Sequence, residues 1–561
     1  MLTPGFLLVA TIFLPLLGVG LVWAVAPSGR TTVRWIALAT SLVTLIGAGW
    51  LTFAYPADGA NADGTHFAEV DANWLGTASG IDVHFHVALD GLSLWLFALS
   101  ALLTVTAVLV SWKAVEQRVP EFFALLLLLE TGMLGVFAAQ DIILFYVFFE
   151  FTLIPLFFLI GIWGSEERRY AAIKFFLFTL AGSVLTFLGI LAIVLNARGA
   201  GEALTFSIPE LTARLAAEPL DFNVQLLIFI ALFAGFAIKV PLFPFHTWLP
   251  LAHVQAPTAG SVILAGVLLK MGTYGFLRFS LPMLSDATAA AMPWMLWLSV
   301  AGIVYGALVA LAQSDMKRLI AYSSVSHLGY CMLGLFALNR LGMQGGVLQT
   351  INHGLSTGGL FAIVGMIYER YHTRQIADLG GIAKRLPRMA AMMVFFTFAS
   401  IGLPGLNGFV GETLVLLGMF QRGWADVAEA GPPAALAAQY QWISILAVSG
   451  VVLGAWYMLW LVERVFFGPL KEPASHGNGS GHGDAHGEIP DMNAREFAAL
   501  APLCVFIVWI GVAPQFFLDR MAPQLDTISD RAATALKNRE KGKPAIQAAQ
   551  TTTPAPPNPE S

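Results

Sequence analysis

Cysteine and charge are what this sequence has least of. Only two cysteines, Cys331 and Cys504, occur in 561 residues, far apart and each inside an apolar run. Two such thiols cannot complete a four-cysteine iron–sulfur cluster or a disulfide framework. Charged side chains make up 12% of the chain, half the ~25% usual in soluble domains. No GxGxxG or GxxxxGK(S/T) pattern stands at a strand-to-helix junction, so dinucleotide and ATP binding are unsupported. Nothing in the chain points to a nucleic-acid partner either. What is abundant is apolar surface: 57% of residues are hydrophobic and the mean hydropathy is +0.73. That composition describes a polytopic membrane protein whose first partner is the lipid bilayer. The first apolar run, Phe6 to Ala26, has no basic stretch before it and reads as a retained span rather than a cleaved signal.

A span needs about 20 apolar residues. Windows of that size predict an all-α chain of about 14 transmembrane helices, at 4–26, 34–54, 89–111, 121–139, 142–163, 171–196, 223–243, 257–279, 292–312, 319–338, 344–369, 389–421, 440–467 and 497–518. With the N-terminus outside, the inner connections collect 17 Lys and Arg and the outer ones only Arg198, Arg214, Arg278, Arg340 and Arg422. Lys and Arg accumulate in cytoplasmic loops, so this bias fixes the orientation. The organisation expected is residues 1–120 with three helices and an acidic outer loop, a first five-helix half at 121–279, and a second at 292–467. A Gly/His-rich linker at 468–496, a last helix at 497–518 and a polar, largely disordered tail at 519–561 complete it. The outer loop 55–88 reads as a solvated cap. The histidines of the segment from His476 to Glu488 read as part of a flexible linker rather than a metal site, because glycine this dense leaves them unorganised.

The stretch from Gly235 to Phe279 breaks the pattern of a simple span. It holds Lys239, Lys270, His246 and His253 among Pro241, Pro244, Pro250 and Pro257. Broken helices are tolerated in a membrane only inside a bundle or along a wet cavity. Five spans later, Gly402-Leu-Pro-Gly-Leu-Asn-Gly408 interrupts a window that would be ~50 Å long as one helix, too long for a ~30 Å core. An odd offset sends the two broken helices in opposite directions, the mark of an inverted repeat, spans 4–8 against 9–13.

Glu150, Lys239, Lys270, His327, His353 and Glu412 all fall inside spans. A charge at that depth costs at least ~2.5–3.5 kcal/mol. Burial disfavours the charged form, so such groups either pair or trade protons. Each has a plainer reading. Glu150 with Lys239 could be a fixed pair locking two helices, and His327 or His353 could be a core histidine bonded to a nearby serine or carbonyl. His246 and His253, near the inner surface, could meet only water. Glu130 is a further buried carboxylate of the same kind. The number of such groups on separate spans favours proton movement over structural pairing.

The segments LFYVFFEFTLIPLFFLIGIWG, KVPLFPFHTWLPLAHVQAPTAGSVILAGVLLKMGTYGFLRF, DMKRLIAYSSVSHLGY, NHGLSTGGLF and GLPGLNGFVGE resemble the antiporter-like subunits of respiratory complex I over roughly residues 85–470. Among these the sequence is most similar to the M-subunit family, called chain 4 in mitochondria, because the twelfth span carries Glu412 where related subunits typically place a lysine. The resemblance implies that Glu150 and Lys239 form an ion pair whose opening and closing tunes Lys239. It further implies that Lys270 is the central proton carrier and that His327 and His353 continue the relay toward Glu412. It implies a bacterial inner-membrane subunit with no cofactor of its own. NADH, FMN, iron–sulfur clusters and quinone would lie in partner subunits, and neighbouring antiporter-like subunits would flank it. An Mrp-type cation/proton antiporter subunit and the membrane subunit of an energy-converting hydrogenase are the alternatives.

Overall fold

The computed structural model describes residues 3–56, 66–76, 81–198, 203–425, 434–473 and 489–540. Two helices, α1 (Pro4–Val25) and α2 (Arg30–Ala54), lead into antiparallel strands β1 (Phe67–Leu75) and β2 (Ile81–Leu89). Then come α3 (Leu94–Ala114), α4 (Val119–Ala138), α5 (Ile142–Phe151), α6 (Leu153–Trp163) and α7 (Arg168–Asn196). A short strand β3 (Leu204–Thr205) and a surface helix α8 (Ile208–Ala217) precede the first broken span. That span is α9 (Phe222–Lys239) followed by α10 (Trp248–Gln255). Next are α11 (Thr258–Met283), α12 (Ser285–Leu311), α13 (Met316–Phe336) and α14 (Arg340–Tyr371). The second broken span is α15 (Pro387–Ser400) with α16 (Asn407–Phe420). The last helices are α17 (Ala434–Phe466), α18 (Ala494–Val512) and α19 (Gln515–Glu540).

Among the described residues, 12 helices are long and apolar enough to cross a membrane. Two further crossings complete the expected 14. The 32-residue α14 is polar but buried almost throughout, and α15 with α16 crosses as two pieces, each too short alone. Among the described residues, loops meet partners on their own face, as alternating crossings require. On one face, Ser165 donates to the Gln255 carbonyl at 2.9 Å and Asp315 bridges to Gln375. On the other, Val87 bridges to Ala139 and Gly91 donates to Gln524 Oε1 at 2.8 Å. The first face is the Lys- and Arg-rich one, the side that the positive-inside rule assigns to the interior.

Both helix breaks fall where the sequence places them, and in each the freed backbone groups find partners. The prolines after Lys239 remove donors and disfavour helical geometry just before them. Trp248 Nε1 donates to the Ile238 carbonyl at 2.9 Å, satisfying an acceptor at the end of α9. At the second break, Gly402 and Gly405 take φ of +74° and +91°, which side chains other than glycine rarely adopt. Asn352 Nδ2 donates to the Asn407 carbonyl at 2.8 Å, and Asn407 Nδ2 to the Asn352 carbonyl at 3.3 Å. This reciprocal lock ties α14 to the start of α16.

Three expectations need correction. The tail expected to be polar and largely disordered over 519–561 is helical as far as Glu540, in α19; residues 541–561 lie outside the described residues, as does the segment from His476 to Glu488. Arg278 and Arg422, counted with the outer loops, are each only 8% exposed. The solvated cap at 55–88 contains a β-hairpin, whose His86 and Val87 are buried.

Candidate functional site

A line of titratable side chains runs through the middle of the bundle from α11 to α16. Lys270 is fully buried, on a helix interrupted by a π-type segment, Leu264–Leu268. Such a wide turn offsets backbone pairing and often marks a functional position. Here Lys270 Nζ donates to the Ala265 carbonyl. The same ammonium donates to His353 Nδ1 at 2.6 Å, which casts that nitrogen as the acceptor.

The His353 ring lies 5.8 Å, centroid to centroid, from the ring of His327, inclined at 48°. His327 Nδ1 stands 3.3 Å from Glu412 Oε1. Its Nε2 faces Ser400 Oγ at 3.2 Å and Tyr457 Oη at 3.5 Å. Gln349 Nε2 donates to Glu412 Oε1 at 3.1 Å, holding the carboxylate in place. Lys270, His353, His327 and Glu412 are each at most 6% exposed. Four sequence-chosen residues thus fall into one line on four helices, α11, α14, α13 and α16, leading from the first half into the second.

Glu150 and Lys239 sit differently. Lys239 is buried, and its ammonium has no hydrogen-bond partner among the described residues; it lies over the Phe149 ring, 4.5 Å from the centroid. Glu150, the next residue along, leaves Oε1 without a partner and has Ser183 of α7 beside its carboxylate. The expected ion pair is therefore not closed, although the two residues are near neighbours. The break beside Lys239 packs on α11: a Cβ at Gly272 would lie 2.8 Å from the Val240 nitrogen and 2.9 Å from the Phe236 carbonyl. Only glycine allows that approach, two residues from Lys270.

Sequence reasoning misplaced some groups and missed others. His253 is not at the surface: it is fully buried, stacked on Phe361 at 4.6 Å with rings 7° apart, and neither ring nitrogen has a partner among the described residues. His246 is also buried, against Phe243 and Tyr305. Lys317, counted as an inner-loop charge, is buried, donating to the Ala256 carbonyl at 2.5 Å. The buried pair of Arg278 and Asp90, joined at 2.6 Å, was not foreseen. Its signal was an arginine two turns beyond Lys270 inside an otherwise apolar run. Glu130 is fully buried, with no partner at either carboxyl oxygen among the described residues.

The fold and this line of side chains define a class: a polytopic membrane protein with two broken helices and a buried titratable path between its halves. Residues 139–432 match the family model described as NADH:quinone oxidoreductase/Mrp antiporter, TM. The chain is 43% identical over 521 residues to NADH-quinone oxidoreductase subunit M of Rhodobacter capsulatus, covering 91% of this chain and 94% of that one. It belongs to the subunit M family of NADH-quinone oxidoreductase. Its fold superimposes on a chain of respiratory complex I from Thermus thermophilus with a TM-score of 0.79 at 30% identity, covering 94% of this chain and 99% of that one. A chain of the Mrp complex from Dietzia sp. DQ12-45-1b gives a TM-score of 0.73 at 21% identity, covering 95% of this chain and 99% of that one; this likeness is one of fold alone.

Proposed function

We propose that this chain works as a proton-translocating membrane-arm subunit of NADH-quinone oxidoreductase, spanning the bacterial inner membrane many times. The observation that carries the reading is the buried line Lys270–His353–His327–Glu412. A buried lysine hydrogen-bonded to an imidazole nitrogen is a donor already facing its acceptor. A proton passed from Lys270 to His353 Nδ1 makes that ring an imidazolium, which can release the proton from Nε2 on its other side. The two rings are too far apart for a direct bond, and one bridging water would complete the step. His327 then faces Glu412, whose carboxylate takes the proton toward the outer half of the second bundle.

Glu150 and Lys239 supply the switch in this reading. With the carboxylate drawn in, the ammonium has its counter-charge; with the pair open, Lys239 is left charged and unpaired in a low-dielectric site, which drives its proton onward. Oxidation of NADH and reduction of quinone take place in partner subunits that hold the FMN and iron–sulfur clusters. Neighbouring antiporter-like subunits flank the chain in the membrane, and no redox centre resides on it.

The test is Lys270→Met in the assembled enzyme, reconstituted into vesicles. We expect NADH-driven proton uptake to fall by about tenfold or more, the equivalent of ~1.4 kcal/mol or more on the transfer barrier. Assembled enzyme that pumps normally after that change refutes the role of Lys270. Sodium transport by the chain in vesicles without NADH oxidation would instead favour an Mrp-type antiporter.

A further inference from the structure

The path just described turns sideways at Lys270, yet α11 continues from that lysine straight toward the outer face. Two turns further along stands Arg278, 8% exposed, in a second π-type segment, Phe276–Ser280. Its guanidinium is spent on fixed partners. Nη1 reaches Asp90 Oδ2 at 2.6 Å, Nη2 donates to Asp90 Oδ1 at 2.9 Å, and Nε donates to Tyr274 Oη at 3.0 Å. Asp90 Oδ1 also accepts from the backbone of Leu92 and Ser93 at 3.1 and 3.0 Å.

Between Arg278 and Lys270 lies Tyr274, its ring packed on Phe137 at 5.2 Å, with Phe145 and Phe279 closing the same aromatic cluster. Beyond Arg278, titratable groups resume. His66 meets His86 edge-on at 6.3 Å, and His86 Nε2 pairs with Glu69 Oε1 at 2.7 Å. His66 also lies within the electrostatic reach of Asp90 and Arg278. Proton-exchanging groups therefore lie on both sides, with one group between them that cannot give up its proton.

We propose that Arg278, held by Asp90 and Tyr274, is a seal that stops protons leaving Lys270 directly for the outer face, so that they must cross to His353 and the second half. The inference rests on the reading of Lys270 as a proton carrier. A guanidinium stays protonated at any relevant pH and accepts nothing. A fixed arginine is also one of the known ways a pore rejects protons. While Arg278 saturates the Asp90 carboxylate, neither member of the pair can pass a proton on. If Arg278 were neutral, Asp90 would become an unpaired acid facing Tyr274 and the histidines above it, and the gap would close into a relay.

The test measures passive proton leak, without NADH, through assembled enzyme in proteoliposomes carrying an imposed pH gradient. Arg278→Gln should raise the leak about tenfold. That is the order expected from one uncompensated charge ~12 Å from Lys270, eight residues at 1.5 Å each, at an effective dielectric near 20. Asp90→Asn should stay tight, because the guanidinium remains. A purely structural pair predicts the same result for both variants, so equal leaks overturn the proposal. Adding Lys270→Met to Arg278→Gln should abolish the extra leak.

Arg278→Lys keeps the charge but can release its proton, so its leak should climb as the pH rises; tight, pH-independent vesicles from this variant also overturn the proposal. The outcomes separate from those for the function itself. Normal pumping by Lys270→Met sinks the carrier role, whereas a tight Arg278→Gln enzyme sinks only the seal.

Discussion

Glu412 is held by groups with opposite requirements. Gln349 donates an amide proton to Oε1 whatever the charge on the acid, while His327 Nδ1, 3.3 Å from the same oxygen, pairs with it most strongly when the imidazole and the carboxylate are both charged. A hydrogen bond to a charged group contributes ~1.5–3 kcal/mol, against ~1 kcal/mol for a neutral one. Glu412→Gln keeps the shape and the contact to Gln349 but cannot take up a proton. It should leave assembly intact and cut NADH-driven proton uptake by about tenfold or more, at ~1.4 kcal/mol for each tenfold. Glu412→Asp, one methylene shorter, should fall between the two, since it keeps the acid but lengthens the step from His327. Fluorescence quenching in inverted vesicles, scaled to the amount of assembled enzyme, reads both. Unimpaired pumping by Glu412→Gln would remove this residue from the path.

At the scale of elements, the second break makes a geometric demand that glycine alone meets. Gly402 has φ +74°, and a Cβ there would lie 2.9 Å from Glu412 Oε2. Gly402→Ala should cost about 1–2 kcal/mol from the left-handed backbone alone and push the carboxylate off His327. Both a lowered unfolding temperature of the assembled enzyme and weakened pumping are expected; alanine with unchanged stability would show that the break relaxes freely. That break was legible in the sequence because a window of excess length held Pro404 between two glycines. The line of acids, lysines and histidines was legible because ionisable residues stand out against apolar spans. What could not be read was their closeness: nothing in the spacing says that Lys270 reaches His353, 83 positions away, or that the neighbouring Glu150 and Lys239 leave their pair open. The helix α19 was missed for another reason. A scan for long apolar runs passes over an amphipathic surface helix, although Phe517, Met521, Leu525, Ile528, Ala532 and Ala535 are buried at helical spacing. The Arg278 pair escaped because an arginine near a span end was counted as loop, and only the tertiary fold brings Asp90 to it.

On the whole molecule, the two faces are tied differently. The inner face is laced by arginines, as where Arg370 Nη2 meets Glu496 Oε2 at 2.8 Å and joins α14 to the N-terminus of α18. The outer face is covered by the β1–β2 hairpin and by α19, which meets the bundle through Gln524 on Gly91 and through Asp526 on Arg340 at 3.0 Å. The hairpin carries a cross-strand tie that depends on protonation. His84 Nδ1 lies 2.5 Å from Asp71 Oδ1 and its Nε2 lies 2.9 Å from Asp82 Oδ1. Both ring nitrogens can donate only when the imidazole is charged. The hydrogen bond to Asp71 first, and then that to Asp82, raise the His84 pKa above its ordinary value against the opposing effect of partial burial. A histidine whose pKa is raised by folding contributes stability that is complete below its unfolded value of ~6.5 and is lost as pH climbs through the folded value. Amide exchange in 67–75 and 81–89, corrected for the intrinsic pH dependence of exchange, should therefore show stronger protection near pH 6 than near pH 9. His84→Asn should flatten that difference, leaving the backbone link from His84 N to Asp141 Oδ2 at 3.1 Å in place. Equal protection at the two pH values in the unsubstituted protein would mean that the pairing of Asp71 and Asp82 across His84 does not hold the hairpin shut.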